Sequence, residues 1–291
     1  MTSRDFLWAR DGSLRAVWRI GGFLLLSVSM IGVLGRVVFL IARPGGELAQ
    51  ILWSSWAYVV ALLASHAVML RWVDKLPWSA AGLGAHEARG GALAHGWILG
   101  ALAIGIPCAT LLVAGWLRAV PTAGAGDEWW RFALLMAVVL APAALWEELV
   151  FRGYVFATLR RSTGSRAALA ITSVLFGLLH WANPGAGVRP LVLVMLAGLF
   201  LGAVVMVTGS VWAAWIAHFA WNWVMAAILH TDVSGALLGM PPGYRVIETG
   251  PDWITGGAWG PEGGAAAGVG VAGAIGYLYA RARRGQRAEA A

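Results

Sequence analysis

Charge is scarce in this chain. Only 12% of its 291 residues are Asp, Glu, Lys or Arg, against about 25% in an ordinary soluble domain. Cysteine is nearly absent. The single one, Cys108, excludes an intramolecular disulfide framework. It lies in an apolar run and reads as a small buried hydrophobe. Acids are few as well, 14 against 21 Lys and Arg, for a net charge of +7. What fills the space is apolar: 59% of the residues are hydrophobic and the mean hydropathy is +0.73. One soluble core of this size would leave much of that surface in water. Soluble, disordered and nucleic-acid-binding classes fit poorly, and runs of 18 or more apolar residues point to a polytopic membrane protein.

Eight apolar segments stand out, at about 20–42, 48–70, 91–117, 132–159, 167–182, 191–207, 211–229 and 264–280. They predict an all-α bundle of about eight transmembrane helices, because backbone groups in lipid need partners within their own segment. Arg4, Arg10, Arg15 and Arg19 precede the first segment as the n-region of a signal peptide does. The segment is too long for an h-region, however, and no small-residue cleavage site follows, so it reads as a retained first span. With the N-terminus placed in the cytoplasm, 15 of the 21 basic residues fall on the inner side. The positive-inside rule then puts both termini there, in a multi-pass protein of the cell membrane. The basic tails meet anionic headgroups of the lipid bilayer, which accounts for the charge with no nucleic-acid partner. The whole of 1–291 reads as one membrane domain. Its segment 230–263 is an extracytoplasmic loop with Trp253 and Trp259 at headgroup level.

Ionisable groups inside spans cost about 2.5–3.5 kcal/mol each at a helix centre, so they mark function by default. Three clusters qualify. In Trp146-Glu147-Glu148-Leu149-Val150-Phe151-Arg152, Glu148 and Arg152 are spaced to pair on one helix face. Glu147 points about 100° away and stays free. An ion pair closing a helix end explains Glu148 and Arg152 but not Glu147. Pro142, earlier in the same segment, predicts a kink. In Phe176-Gly177-Leu178-Leu179-His180, a lone histidine is by itself more often a satisfied core or interface residue than a functional one. In His218-Phe219-Ala220-Trp221-Asn222, the imidazole and amide share a face, and polar glue between helices is the competing explanation.

Depth joins these clusters. Ser162-Thr163-Gly164-Ser165 is a turn signal. Glu147 and His180 each lie about 16 residues from its middle, roughly 25 Å along a helix. Antiparallel packing brings them level, and His218 follows a second turn, Thr208-Gly209-Ser210, on the same side.

A Glu beside a His can hold a water and take its proton. An imidazole and an amide on another helix can donate to a developing oxyanion. Hydrolysis of an acyl bond by activated water fits this set. The same side chains are also zinc ligands by type, with Glu147, His180 and His218 as the donors of a divalent metal. Other intramembrane hydrolases fit less well. His86-Glu87-Ala88-Arg89-Gly90 lacks the second histidine of a zincin. No serine sits in a G-x-S-x-G context, and every Asp lies in a tail or loop.

Glu147-Glu148-x-x-x-Arg152, Phe176-x-x-x-His180 and His218-x-x-x-Asn222, in this order on three helices, resemble the motifs of the CAAX-prenyl-protease-2 and bacteriocin-processing (CPBP, or abortive-infection) family of intramembrane proteases. The motif core covers about 132–225. The resemblance implies an eight-helix intramembrane endopeptidase acting on a peptide or protein tail. It also implies roles: Glu147 and His180 activate water, His218 and Asn222 stabilise the oxyanion, and Glu148 and Arg152 support the site. The family is often described as metalloproteases, and both metal-assisted and metal-free mechanisms stay open here. Two other classes compete: a transporter or proton relay through the same carboxylates and histidines, and a non-catalytic membrane scaffold or immunity protein.

Overall fold

A computed structural model describes residues 7–8, 14–123 and 128–289. Arg4 and Arg10, counted above among the inner charges, lie outside the described residues. The described residues are mostly helical, with one small sheet among them. Helix α1 is Ala16–Ala42, and α2 is Glu47–Val68, extended by a π-helical turn at Met69–Asp74. Helix α3 is Gly90–Val113, α4 is Trp129–Arg152, α5 is Tyr154–Thr163 and α6 is Ser165–Leu179. A 3-10 turn, His180–Ala182, closes α6. Helix α7 is Val188–Thr208, α8 is Val211–Trp223 with a π-helical turn at Val224–Leu229, and α9 is Ala265–Glu289.

Among the described residues, seven helical stretches are long and apolar enough to cross a membrane, which makes this a multi-pass membrane protein. They coincide with the first seven segments expected. The eighth segment is helical too, as α9, but its Gly and Ala content and basic end keep it outside that apolar set. Cys108 is free and buried in α3, as expected.

Helix α4 lies between two apolar clusters. One gathers α1, α2 and α5 around Phe23, Leu62 and Tyr154, and the other gathers α3, α7, α8 and α9 around Ile104, Phe200 and Ala217. Helices α3 and α8 pack most extensively. Gly96 and Gly100, one turn apart, make this possible, since a Cβ on either would run into the carbonyl oxygens of Ala213 and Ala217. Small residues four apart let helix backbones approach this closely in membranes. The contact fixes the height and rotation of α8, on which His218 follows Ala217 directly.

Two expectations need correction. The segment 132–159 is not one helix. Helix α4 continues past Pro142, and the break falls at Gly153. The cause is a contact from α2. The Tyr154 amide donates to Nε2 of His66 at 3.0 Å, and the Gly153 amide reaches back five residues to the Glu148 carbonyl. A side chain at Gly153 would collide with the His66 ring. His66 therefore ends α4 one residue after Arg152 and starts α5.

The second correction concerns 230–263, which is not merely an interfacial loop. Its strand β2, Tyr244–Glu248, pairs antiparallel with β1, Leu117–Pro121, with Ala119 opposite Val246. Trp253 is 58% exposed, but Trp259 is 1% exposed and belongs to the core. Glycine turns at Gly256, Gly257 and Gly260, all at positive φ, fold the segment back against the helices.

Candidate active site

The three sequence clusters meet. Helix α4 brings Glu147, Glu148 and Arg152, the end of α6 brings His180, and α8 brings His218 and Asn222. The two adjacent glutamates face different surroundings, as helix geometry requires.

Glu148 is fully buried and engaged. Its Oε1 lies 3.0 Å from Nδ1 of His218. Its Oε2 lies 3.5 Å from Nε of Arg152, an ion pair on one helix face. The Arg152 guanidinium also donates from Nη2 to the Gly198 carbonyl of α7 at 2.9 Å. Its Cζ stands 4.3 Å from the centre of the Phe176 ring. Phe176 thus covers the cation while its edge meets His180 and His218, with ring centres 5.0 and 5.8 Å away. The first residue of the second motif is a packing piece shared by all three clusters.

Glu147 is different. Its Oε2 is buried and accepts no hydrogen bond among the described residues. It lies 3.7 Å from Nε2 of His180, too far for a direct bond. A contact of that length between polar groups is the kind a water bridges. His180 is prepared for it. Its Nδ1 lies 2.8 Å from the Phe176 carbonyl, which can only accept, so Nδ1 carries a proton. In its neutral form the ring then offers a bare Nε2 toward Glu147. His180 sits in the 3-10 turn that ends α6 rather than within an apolar helix, and this exit from the helix lets the ring reach across.

Behind these groups lies a cavity with about 30 Å³ open to water, enough for a few waters. His180, His218 and Asn222 line it, and the Asn222 side chain has no hydrogen bond among the described residues. The far wall was not foreseen. Glu262, 8% exposed, reaches in from the folded-back segment. It accepts from Nε1 of Trp221 at 2.8 Å, and from the amide and hydroxyl of Ser234 at 2.8 and 2.7 Å. The only hint in sequence is an acid set among glycines and a proline, Gly260-Pro261-Glu262-Gly263, in a chain with few acids.

Among the described residues, no three His, Cys, Asp or Glu side chains group as a ligand set. Glu147, His180 and His218, named above as alternative zinc donors, are not gathered into such a set, although the Nδ1 contact of His218 to Glu148 leaves its Nε2 open to a ligand.

Residues 128–224, about a third of the chain, match the family described as Rce1-like, type II CAAX prenyl endopeptidase Rce1-like. That span holds all three motifs. No curated protein matches the chain, and no solved structure does.

Proposed function

We propose that this membrane protein, which over residues 128–224 belongs to the CPBP family of intramembrane proteases, is an endopeptidase that hydrolyses a peptide bond with water activated by Glu147 and His180. One observation carries the proposal: a buried carboxylate oxygen with no hydrogen-bond partner among the described residues faces the Nε2 of an imidazole 3.7 Å away, whose other nitrogen is held by a backbone carbonyl. A water beside the pair donates one hydrogen to each acceptor and turns a lone pair outward. When its oxygen attacks the peptide carbonyl carbon, Glu147 takes the proton. The C–N bond then breaks, and Glu147 returns that proton to the leaving amine.

The carbonyl oxygen becomes negative in the intermediate and needs donors. The amide of Asn222 supplies one directly. His218 supplies a second only in a defined state: Nδ1–H is held by Glu148, so Nε2 donates only when the ring carries both protons. The Glu148 carboxylate supports that cation, and Arg152 holds Glu148 in place. Each step runs on protein groups and water.

The substrate is a peptide or protein tail reaching the bundle from the membrane. The family description names CAAX prenyl endopeptidases, so a prenylated C-terminal peptide is the first substrate to assay. The test is turnover of a quenched fluorescent prenyl-peptide by purified protein, with and without a tight chelator, beside His180→Ala. Turnover should survive the chelator and fall at least 100-fold in the variant. Loss of turnover on chelation, restored by Zn²⁺, overturns the metal-free mechanism. Full turnover by His180→Ala overturns the site. A scaffold or a transporter would show no turnover at all.

A further inference from the structure

A second cavity lies away from the motifs. It is a groove of about 740 Å³ between α3 and α9, open along the side of the bundle. On α3 its rim is Ile98, Leu102 and Ile106, spaced one turn apart and each at least half exposed. On α9 the rim includes Val269 and Tyr277. The floor includes Leu99 and Ala103. From His95 to Leu111 the groove follows α3 for roughly 24 Å, most of the thickness of a hydrocarbon core. In a membrane-spanning chain this groove opens on lipid tails.

Its polar end distinguishes it from an ordinary lipid-facing crevice. There the groove meets a pocket of about 290 Å³ lined by Arg89, His95, Thr208 and Arg281. No carboxylate lines either cavity. Neither arginine has an ion-pair partner among the described residues. His95 lines both cavities, and its Nε2 is buried with no hydrogen-bond partner among the described residues. Its ring rests against Tyr277, 5.7 Å between centres, and so faces the junction. Two unpaired cations and an unsatisfied imidazole nitrogen close one end of a long apolar slot. The complementary ligand is an amphiphile with an anionic head and a long hydrocarbon tail.

We propose that the α3–α9 groove is a binding site for an anionic phospholipid. One acyl chain lies along Leu99, Ala103 and Ile106, and the phosphate sits between Arg89 and Arg281 with His95 at the glycerol level. A zwitterionic lipid carries the same phosphate, but its ammonium group enters the field of both arginines and of the neighbouring basic helix end. Basic pockets between membrane helices select anionic heads in this way.

The test is native mass spectrometry of the full chain, delipidated and titrated with phosphatidylglycerol or phosphatidylcholine of equal chain length. Phosphatidylglycerol should bind roughly 30-fold more tightly, the effect of two cations near the surface. The Arg89→Ala/Arg281→Ala double variant should bind both lipids alike. Gly273 lines the groove and a Cβ there meets open space, so Gly273→Trp fills the slot without disturbing the bundle and should remove the retained lipid. Equal binding of the two lipids by the wild type overturns the proposal, as does an unchanged preference in the double variant. Retention of lipid by Gly273→Trp overturns the acyl-chain placement, and displacement of lipid by millimolar inorganic phosphate reassigns the pocket to a soluble anion.

Discussion

Replacing either of two neighbouring glutamates by glutamine should give opposite results, and the structure sets both magnitudes. Glu147 accepts no hydrogen bond among the described residues, and one of its carboxylate oxygens is buried near an imidazole. Glu147→Gln keeps the shape and removes the charge, so folding loses no contact. The thermal midpoint should stay within a few degrees of the wild type or rise. Under the proposed mechanism, catalysis loses its proton acceptor. A positioned general base contributes about 10²–10⁴-fold, so turnover should fall by at least 100-fold.

Glu148→Gln acts on the fold as well as on the support of His218. Its carboxylate is the only counter-ion within pairing distance of Arg152 among the described residues, and the Arg152 side chain has no solvent exposure. Without that charge, the guanidinium keeps one carbonyl and one ring face. Breaking a buried pair from one side costs about 3–5 kcal/mol. That is a large part of a domain's net stability of about 5–15 kcal/mol. Thermal unfolding followed by circular dichroism, run beside the peptide assay, separates the two variants. Turnover by well-folded Glu147→Gln within tenfold of the wild type would refute the assignment. So would a thermal midpoint for Glu148→Gln equal to that of Glu147→Gln.

Gly100→Ala should destabilise by about 1–3 kcal/mol, the usual cost of overpacking, because its Cβ meets the Ala217 backbone. Gly105→Ala, on the same helix with nothing near its Cβ, should be neutral or stabilising. Thermal midpoints of the two variants check this, and the shift of α8 in Gly100→Ala should also depress turnover through His218. Glu262→Ala should cost about 1–3 kcal/mol by leaving Trp221 and Ser234 unsatisfied, while kcat falls less than tenfold and kcat/KM moves more. Steady-state kinetics on the folded variant decide it: a loss as large as that of Glu147→Gln would place Glu262 in the chemistry.

The helices were legible because their signal is local. Apolar runs of this length bury backbone groups in only one way, and the i, i+4 spacings of Glu148–Arg152 and His218–Asn222 hold in the structure. Levelling by helix rise brought Glu147 and His180 together without any tertiary information. What escaped the sequence depends on partners far along the chain. The end of α4 is set by His66, 88 residues before Tyr154. The strand pairing joins Leu117 to Glu248. Pro142 carries the strongest local breaking signal in α4, yet the helix runs on through it. The break falls at Gly153, whose cause lies on α2. Glu262 was missed for the same reason, since its ligands lie 28 and 41 residues away and nothing periodic marks it.

The placement of Glu262 bears on how a peptide reaches the water site. The cavity's 30 Å³ holds waters and no peptide, so under the proposed function some part of its wall moves. The parts differ in what movement costs. Helices α4 and α8 are tied by the buried Arg152–Glu148–His218 set, and α8 is locked to α3 at Gly96 and Gly100. Separating them exposes a buried charge or a close backbone contact. The segment carrying Ser234 and Glu262 meets α8 at this wall through one neutral donor, Nε1 of Trp221, a bond worth about 0.5–3 kcal/mol net and replaceable by water once exposed; the Ser234 bonds to Glu262 stay within the segment. Its glycine turns at Gly256, Gly257 and Gly260 admit backbone conformations closed to other residues. Movement of this segment breaks no ion pair but must also lift the buried Trp259, so the Glu262–Trp221 bond is one of several contacts that an opening there releases. For this reason the Glu262→Ala variant should move kcat/KM more than kcat.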